Sequence, residues 1–247
     1  MIIKATDLTT KFGDRVIHDG LNFHVNEAEI YGLLGGSGTG KSTLMKTMIY
    51  LKKPSAGKIE MLGRDLWSLD EAARQEIKLA CSVMFQFGAL YTSMNVLENI
   101  YILLKEYSGM SERSMREIAM FWLQKVGLSE NVALQYPSEL SGGMKKRVAM
   151  ARALVLSPKI LFLDEPNSGL DPSSARAFDE LVVELRDTLG VTVVMVTHDI
   201  DSICTILDRF LILQDKKIAF EGTFEQLIQM PENPLEELLK TRKNGGK

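Results

Sequence analysis

The chain has 247 residues, 45% of them hydrophobic and 25% charged, with a formal net charge of −3. That is enough chain for one large α/β domain with a core of its own, and its composition is that of a globular protein. The charge balance speaks against a broad basic field of the kind that holds nucleic acid, so no nucleic-acid partner is expected.

The first 31 residues predict short antiparallel strands, with turn signals at Gly13-Asp14 and Asp19-Gly20. IYGLL (30–34) is an apolar strand that runs straight into glycines. STLMKTMIYL (42–51) has helical spacing, with Leu44, Met48 and Leu51 on one face, and Pro54 and Gly57 end it. LACSVMF (79–85), ILFLD (160–164) and VTVVMVT (191–197) are continuous apolar runs. Such runs suit strands buried on both faces of a parallel sheet. Each leads into a polar residue, Gln86, Asp164 and His198, and ligands bind at the carboxyl ends of such strands.

Residues 88–158 hold no convincing strand and read as a helical lobe inserted between sheet strands. Its methionines, Met115, Met120, Met144 and Met150, are expected to fill core. FLILQDKKIAFEG (210–222) predicts a hairpin turning near Asp215. The tail places Leu235, Leu238 and Leu239 on one face, then becomes polar. Cys81 and Cys204 lie far apart beside apolar residues and are expected to be buried thiols in a reducing compartment, not a disulfide. The opening MIIKATDLTTKFGDR carries charges where a secretion signal would be apolar, so none is expected. Leu79–Leu97 is uncharged, yet too polar to span a bilayer.

GGSGTGKS (35–42) fits the G-x-x-x-x-G-K-S pattern of a phosphate loop. Gly35, Gly36, Ser37, Gly38, Thr39 and Gly40, with Thr43 just beyond, would wrap backbone N–H groups around phosphates. Lys41 would set a positive charge at the β and γ phosphates, and the Ser42 hydroxyl would ligand Mg²⁺. ILFLDE (160–165) ends a strand with paired carboxylates. Asp164 is placed to hold Mg²⁺ through water, and Glu165 to orient or deprotonate an attacking water. His198 is placed to contact a γ-phosphate, and Gln86 to sense Mg²⁺ and the water. LSGGMKKRV (140–148) adds a second glycine-rich helix start, another anion site about a hundred residues on.

GGSGTGKST, Gln86, LSGGMKKRVAMARAL, ILFLDEP, SGLD (168–171) and His198 in that order resemble the ATPase domain of ABC transporters. The resemblance covers nearly the whole chain. It implies a single ABC ATPase domain with a parallel P-loop core and an N-terminal antiparallel β subdomain (1–87 and 159–230). A helical subdomain (88–158) and a tail (231–247) complete it. It further implies ATP and Mg²⁺ as cofactors, with Phe12 stacking on adenine and Val16 flanking it. Two copies would meet head to tail, so that Ser141, Gly142 and Gly143 of one close on the γ-phosphate held by Lys41 of the other. Asp171 would lie along that seam. Two cradles per chain then serve two ATPs per dimer.

GAL-aromatic-x-x-MNV-x-acidic-N after Gln86 and PSELSGGM (137–144) are similar to the ATPase of Mla-type, Mce-associated phospholipid transporters. That likeness implies an integral-membrane permease on separate chains, gripped at Leu90, Tyr91, Met94 and Val96, and an Mce-type lipid-binding component. It places the chain in the cytoplasm, peripheral at the inner face of a bacterial inner membrane. A soluble ABC ATPase of the iron–sulfur assembly type, or one serving another substrate, stands as the alternative.

Overall fold

The computed structural model describes residues 1–231 and Pro234; the apolar stripe expected at Leu235, Leu238 and Leu239 lies outside the described residues. The chain opens with β1 (Ile3–Phe12), β2 (Arg15–Val25), β3 (Ile30–Gly35), α1 (Lys41–Met48), β4 (Ala56–Met61), β5 (Arg64–Asp65) and α2 (Glu71–Ala80). Next come β6 (Cys81–Met84), α3 (Val96–Tyr107), α4 (Glu112–Lys125), α5 (Gly142–Leu154), β7 (Ile160–Asp164) and α6 (Pro172–Leu189). β8 (Thr192–Val196), α7 (Ile200–Thr205), β9 (Arg209–Gln214), β10 (Lys217–Gly222) and α8 (Phe224–Ile228) follow. Two compact units result: Met1–Lys78 with the segment from Thr192 onward, and Leu79–Val191.

In the first unit, β3 is buried at every residue, as its unbroken apolar run requires. It pairs in parallel with β8 on one side, Ile30 to Val193 through Leu33 to Val196, and with β9 on the other. β10 returns antiparallel to β9 through a turn at Asp215 and Lys216, both at positive φ, close to the expected position. A separate antiparallel sheet has the order β2-β1-β4-β5. Beneath these strands Arg209 bonds Glu221 at 2.8 Å and Glu29 at 3.3 Å, while the Tyr31 hydroxyl donates to Glu221 at 2.9 Å. Burial and the Glu221 carboxylate push the Tyr31 hydroxyl's pKa well up.

Two expectations fail here for local reasons. Asp19-Gly20 is no turn: β2 runs through it, and the shift of register against β1 makes it a bulge with Gly20 at φ +65°. α1 stops at Met48, so Leu51 falls outside the helix and is exposed rather than joining Leu44 and Met48 in the core. β4, β5 and most of α2 lie in a stretch (55–78) for which no element was expected, although Ala73, Ile77 and Ala80 give α2 helical spacing.

The second unit pairs β6 and β7 in parallel and holds the helical lobe. The expected run 79–85 is shorter as a strand, since Leu79 and Ala80 end α2. α3 starts on a capping box between Asn95 and Glu98. α6 starts on Asp171 with Pro172 behind it and ends on Gly190 in the left-handed region. Met115 and Met150 are buried as expected, whereas Met120 and Met144 are half-buried. Cys81 is half-buried with its thiol pushed up to about 12 by burial; Cys204, expected inside, is exposed.

Candidate active site

The first unit carries the loop between β3 and α1. Gly35 is at φ +148°, Gly38 at +80° and Gly40 at +102°, backbone that side chains rarely adopt. A Cβ at Gly35 would lie 2.6 Å from the Thr39 hydroxyl, and one at Gly40 would lie 2.6 Å from Ile17 Cγ2 and run into the His18 ring. These positions therefore need glycine, and the peptides they free open the N-terminus of α1. No acidic residue occupies the first turn of that helix. Lys41 Nζ donates to the Gly35 and Gly36 carbonyls at 2.8 and 2.9 Å, so the ammonium arches over the loop. Ser37, Gly38 and Ser42 are exposed, and Gly36, Thr39 and Thr43 half-buried. Nothing stands within 4 Å of where a Cβ of Gly38 would be. A concave run of backbone donors, one ammonium and a hydroxyl fits a chain of phosphates.

His18 of β2 lies under this loop. Its ring is fully buried, Nδ1 is 2.7 Å from the Thr10 hydroxyl, and Nε2 abuts Gly40. Burial lowers its pKa from 6.5 to about 4, and the Gly40 backbone only partly opposes this. The unfolded chain takes up this proton first as pH falls, so stability is full above 6.5 and is lost between there and about 4. His18→Leu is expected to lose about 2 kcal/mol less stability than wild type between about pH 7 and pH 5, measured by urea denaturation. Equal losses would show that His18 is not buried neutral.

Phe12 and Val16 sit on the β1–β2 hairpin of the same unit, where Phe12 pairs with Arg15 and Lys11 with Val16. Phe12 is exposed, with the Lys52 ammonium 4.2 Å from its ring centre, and Val16 is half-buried. The ammonium makes a cation–π contact over the ring, and about half of the Phe12 surface is left open. His198 is also exposed, two residues past the end of β8 and next to Asp199, which caps α7.

The second unit gathers the other polar residues. Asp164 is the last residue of β7 and Gln86 lies two residues past β6. Gln86 Nε2 donates to Glu165 Oε2 at 3.1 Å and to the Ser168 hydroxyl at 3.0 Å. Glu165 sits at φ +47°, a left-handed backbone that costs a side chain about 1–2 kcal/mol. Ser141 caps α5 by accepting from the Met144 N–H at 3.2 Å, and Gly142 and Gly143 form the first turn with no acidic neighbour in it. Asp171 accepts from the Ser173 and Ser174 hydroxyls, both at 2.6 Å, and from both backbone N–H groups. Those hydroxyls hold its carboxyl far below the usual range.

Residues 18–168 match the ABC transporter family. The chain belongs to that family. It is 37% identical over 244 residues to the intermembrane phospholipid transport ATP-binding protein MlaF of Haemophilus influenzae, covering 99% of this chain and 92% of that one. It is 36% identical to a probable ribonucleotide transport ATP-binding protein, Mkl of Mycobacterium leprae, over 98% of this chain and 70% of that protein. Its fold matches the dimeric, post-hydrolysis ATP-binding cassette MJ0796 bound to ADP and Pi. That match has a TM-score of 0.80 and 30% identity, covering 90% of this chain and 98% of the other. The parallel-stranded core with a separate antiparallel sheet is thus an ABC ATPase fold, and the protein is an ATP-binding, ATP-hydrolysing subunit of this family.

In this ABC ATPase the segment after Gln86, itself without charged residues up to Leu97, exposes aromatic side chains. Phe87 is 84% exposed and Tyr91 52% exposed, with Phe85 also exposed. The loop that carries them is tied down from inside. Buried Asn99 sets its amide nitrogen 3.0 Å from each of the Tyr91, Met94 and Asn95 carbonyls, which share its two N–H donors, and accepts from the Tyr91 N–H at 2.8 Å. Arg152 donates to the Gly88 and Ala89 carbonyls at 2.6 and 2.9 Å. Of the four residues expected to grip a partner, only Tyr91 is exposed: Leu90 and Met94 are half-buried and Val96 is core. Val96 begins α3 and must turn inward with its apolar stripe. Phe87 was not among the expected residues, although it follows Gln86 directly in an uncharged stretch. Among the described residues, no helix is long and apolar enough to cross a membrane.

Proposed function

We propose that this ATPase drives phospholipid transport through an integral-membrane permease on separate chains, with an Mce-type lipid-binding component in the same complex. The observation that carries the lipid reading is the nearly full-length likeness to a phospholipid-transport ATPase, at 37% identity. The ribonucleotide-transport relative supplies the rival substrate. The exposed Phe87 and Tyr91 just after Gln86, with the Arg152 guanidinium over the Tyr91 ring, support a docked permease, since aromatic residues and arginine are enriched at such contacts. The protein then works as a peripheral subunit at the cytoplasmic face of a bacterial inner membrane, as a homodimer like the dimeric cassette it resembles.

In this reading Phe12 and Val16 hold adenine, the loop from Gly35 to Thr43 holds the phosphates, and Lys41 neutralises their charge. Ser141, Gly142 and Gly143 of a second copy cover the γ-phosphate. Glu165 orients and deprotonates the attacking water, assisted by Gln86, and His198 contacts the γ-phosphate. Among the described residues no cluster of three or more His, Cys, Asp or Glu gathers to hold a metal. Mg²⁺ takes few protein ligands and completes its shell with water and phosphate oxygens, and the Ser42 hydroxyl, the Asp164 carboxylate and the Gln86 amide oxygen are each donors of the kind it accepts. Its chemistry there is to neutralise charge on the transferring phosphoryl group.

Tyr91→Glu tests the docking face. The variant is expected to fold and bind ATP like wild type, because the side chain is exposed, and to lose copurification with membrane proteins from detergent. Lipid analysis of the wild-type complex checks the substrate, with bound phospholipid expected. A Tyr91→Glu chain that still joins a working membrane complex would show the face is misplaced. Purification of the wild type with soluble partners alone would favour the iron–sulfur assembly reading.

A further inference from the structure

α5 carries a buried lysine that the proposed chemistry does not use. Lys146 is 6% exposed, and its ammonium donates to the Ser168 carbonyl at 2.5 Å and to the Pro166 carbonyl. Pro166 and Ser168 belong to the turn that follows Glu165, closed by the Ser168 N–H donating to the Glu165 carbonyl at 3.1 Å. Burying an ammonium is costly, and two carbonyl acceptors offset only part of that. Burial lowers the pKa of Lys146, and the Glu165 carboxylate works in the opposite direction by favouring its charge.

The turn needs such a hold. Glu165 sits in left-handed backbone, a state that persists only where the surroundings enforce it. Gln86 restrains the Glu165 carboxylate and the Ser168 hydroxyl from one side. Lys146 restrains the carbonyls of the same turn from another. It also lies four residues after Gly142 and three after Gly143, so it shares a helix face with the glycines that open α5.

We infer that Lys146 is a positioning residue for Glu165, pinning the turn that aims the carboxylate and joining that turn to the helix headed by Ser141, Gly142 and Gly143. The inference rests on reading Glu165 as the residue that orients the attacking water. Lys146 touches neither nucleotide nor water in this role. Its removal therefore acts on the rate of hydrolysis and leaves nucleotide affinity alone.

Lys146→Met keeps the length and flexibility of the side chain and removes its donors. Its kcat is expected to fall roughly tenfold or more, because small displacements of a reacting group cost that much, while the affinity for a fluorescent ATP analogue stays within about twofold. The decisive arm is a double-mutant cycle. In a Glu165→Gln background, Lys146→Met is expected to cost no further residual turnover, since its effect runs through Glu165. Unchanged kcat in Lys146→Met, an equal loss of ATP affinity, or losses that multiply with those of Glu165→Gln would each overturn the inference. If Lys146→Met fails to fold by circular dichroism, Lys146→Leu, which also removes the donors to the two carbonyls, is read in the same cycle by the same criteria. Glu165→Gln alone separates the two ideas. If that variant keeps wild-type turnover, the reading of Glu165 falls and the inference about Lys146 falls with it. If it is inactive while Lys146→Met is unaffected, only Lys146 has been misread.

Discussion

Glu165→Gln is expected to bind ATP as wild type does and to hydrolyse it about a hundredfold or more slowly. The amide is nearly isosteric with the carboxylate, so the strained turn at Glu165 and its contact from Gln86 can persist. A carbonyl oxygen on the new side chain still accepts the Gln86 N–H. What disappears is the base that takes a proton from the attacking water, and general-base catalysis is worth about 10²–10⁴-fold. The substitution leaves the phosphate loop and the Lys41 ammonium untouched, so nucleotide affinity is expected to stay near that of wild type. Steady-state turnover beside a direct ATP-binding measurement checks this. Turnover near the wild-type rate would assign the proton to another acceptor.

The residues proposed for chemistry were more legible in sequence than the structure that supports them. A phosphate loop needs glycine where backbone must bend into forbidden regions, and Gly35, Gly38 and Gly40 do so. Gln86, Asp164 and His198 could be picked out because buried parallel strands read as apolar runs whose ends stand out. By contrast, β4 and β5 are short and only partly buried, in a stretch rich in charge, and no period marks them, while α2 there does keep helical spacing at Ala73, Ile77 and Ala80. Lys146 and Asn99 were hidden for another reason. Their partners are backbone carbonyls in distant or irregular segments, and a carbonyl leaves no trace in residue type. His18 in an otherwise ordinary strand likewise gains meaning only because Gly40 lies against its ring. Exposure was the least legible property. Val96 and Tyr91 both stand in an uncharged stretch, yet the start of α3 turns the first inward while the loop held by Asn99 turns the second outward.

Mixing Lys41→Ala chains with Ser141→Arg chains is expected to restore ATP turnover that neither variant shows alone. Lys41 caps the phosphate loop and its loss removes the positive charge for the phosphates. Ser141 caps α5 and is exposed, so an arginine there loses the cap and places bulk where an anion would approach the helix start. In a head-to-tail dimer each active site takes its phosphate loop from one chain and its Ser141-Gly142-Gly143 start from the other. Each homodimer then has two damaged sites. The mixed dimer collects both lesions in one site and leaves the other whole. If a single chain completed its own site, each variant would be damaged wherever it went, and mixing would recover nothing. Cooperation between sites could suppress turnover in a dimer with one intact site, so the mixture is also made with Glu165→Gln in both chains. ATP should then hold the mixed dimer together in size-exclusion chromatography more firmly than it holds either homodimer. Neither recovered turnover nor an ATP-stabilised mixed dimer would mean that the two glycine-rich cradles of this chain do not meet across a subunit boundary.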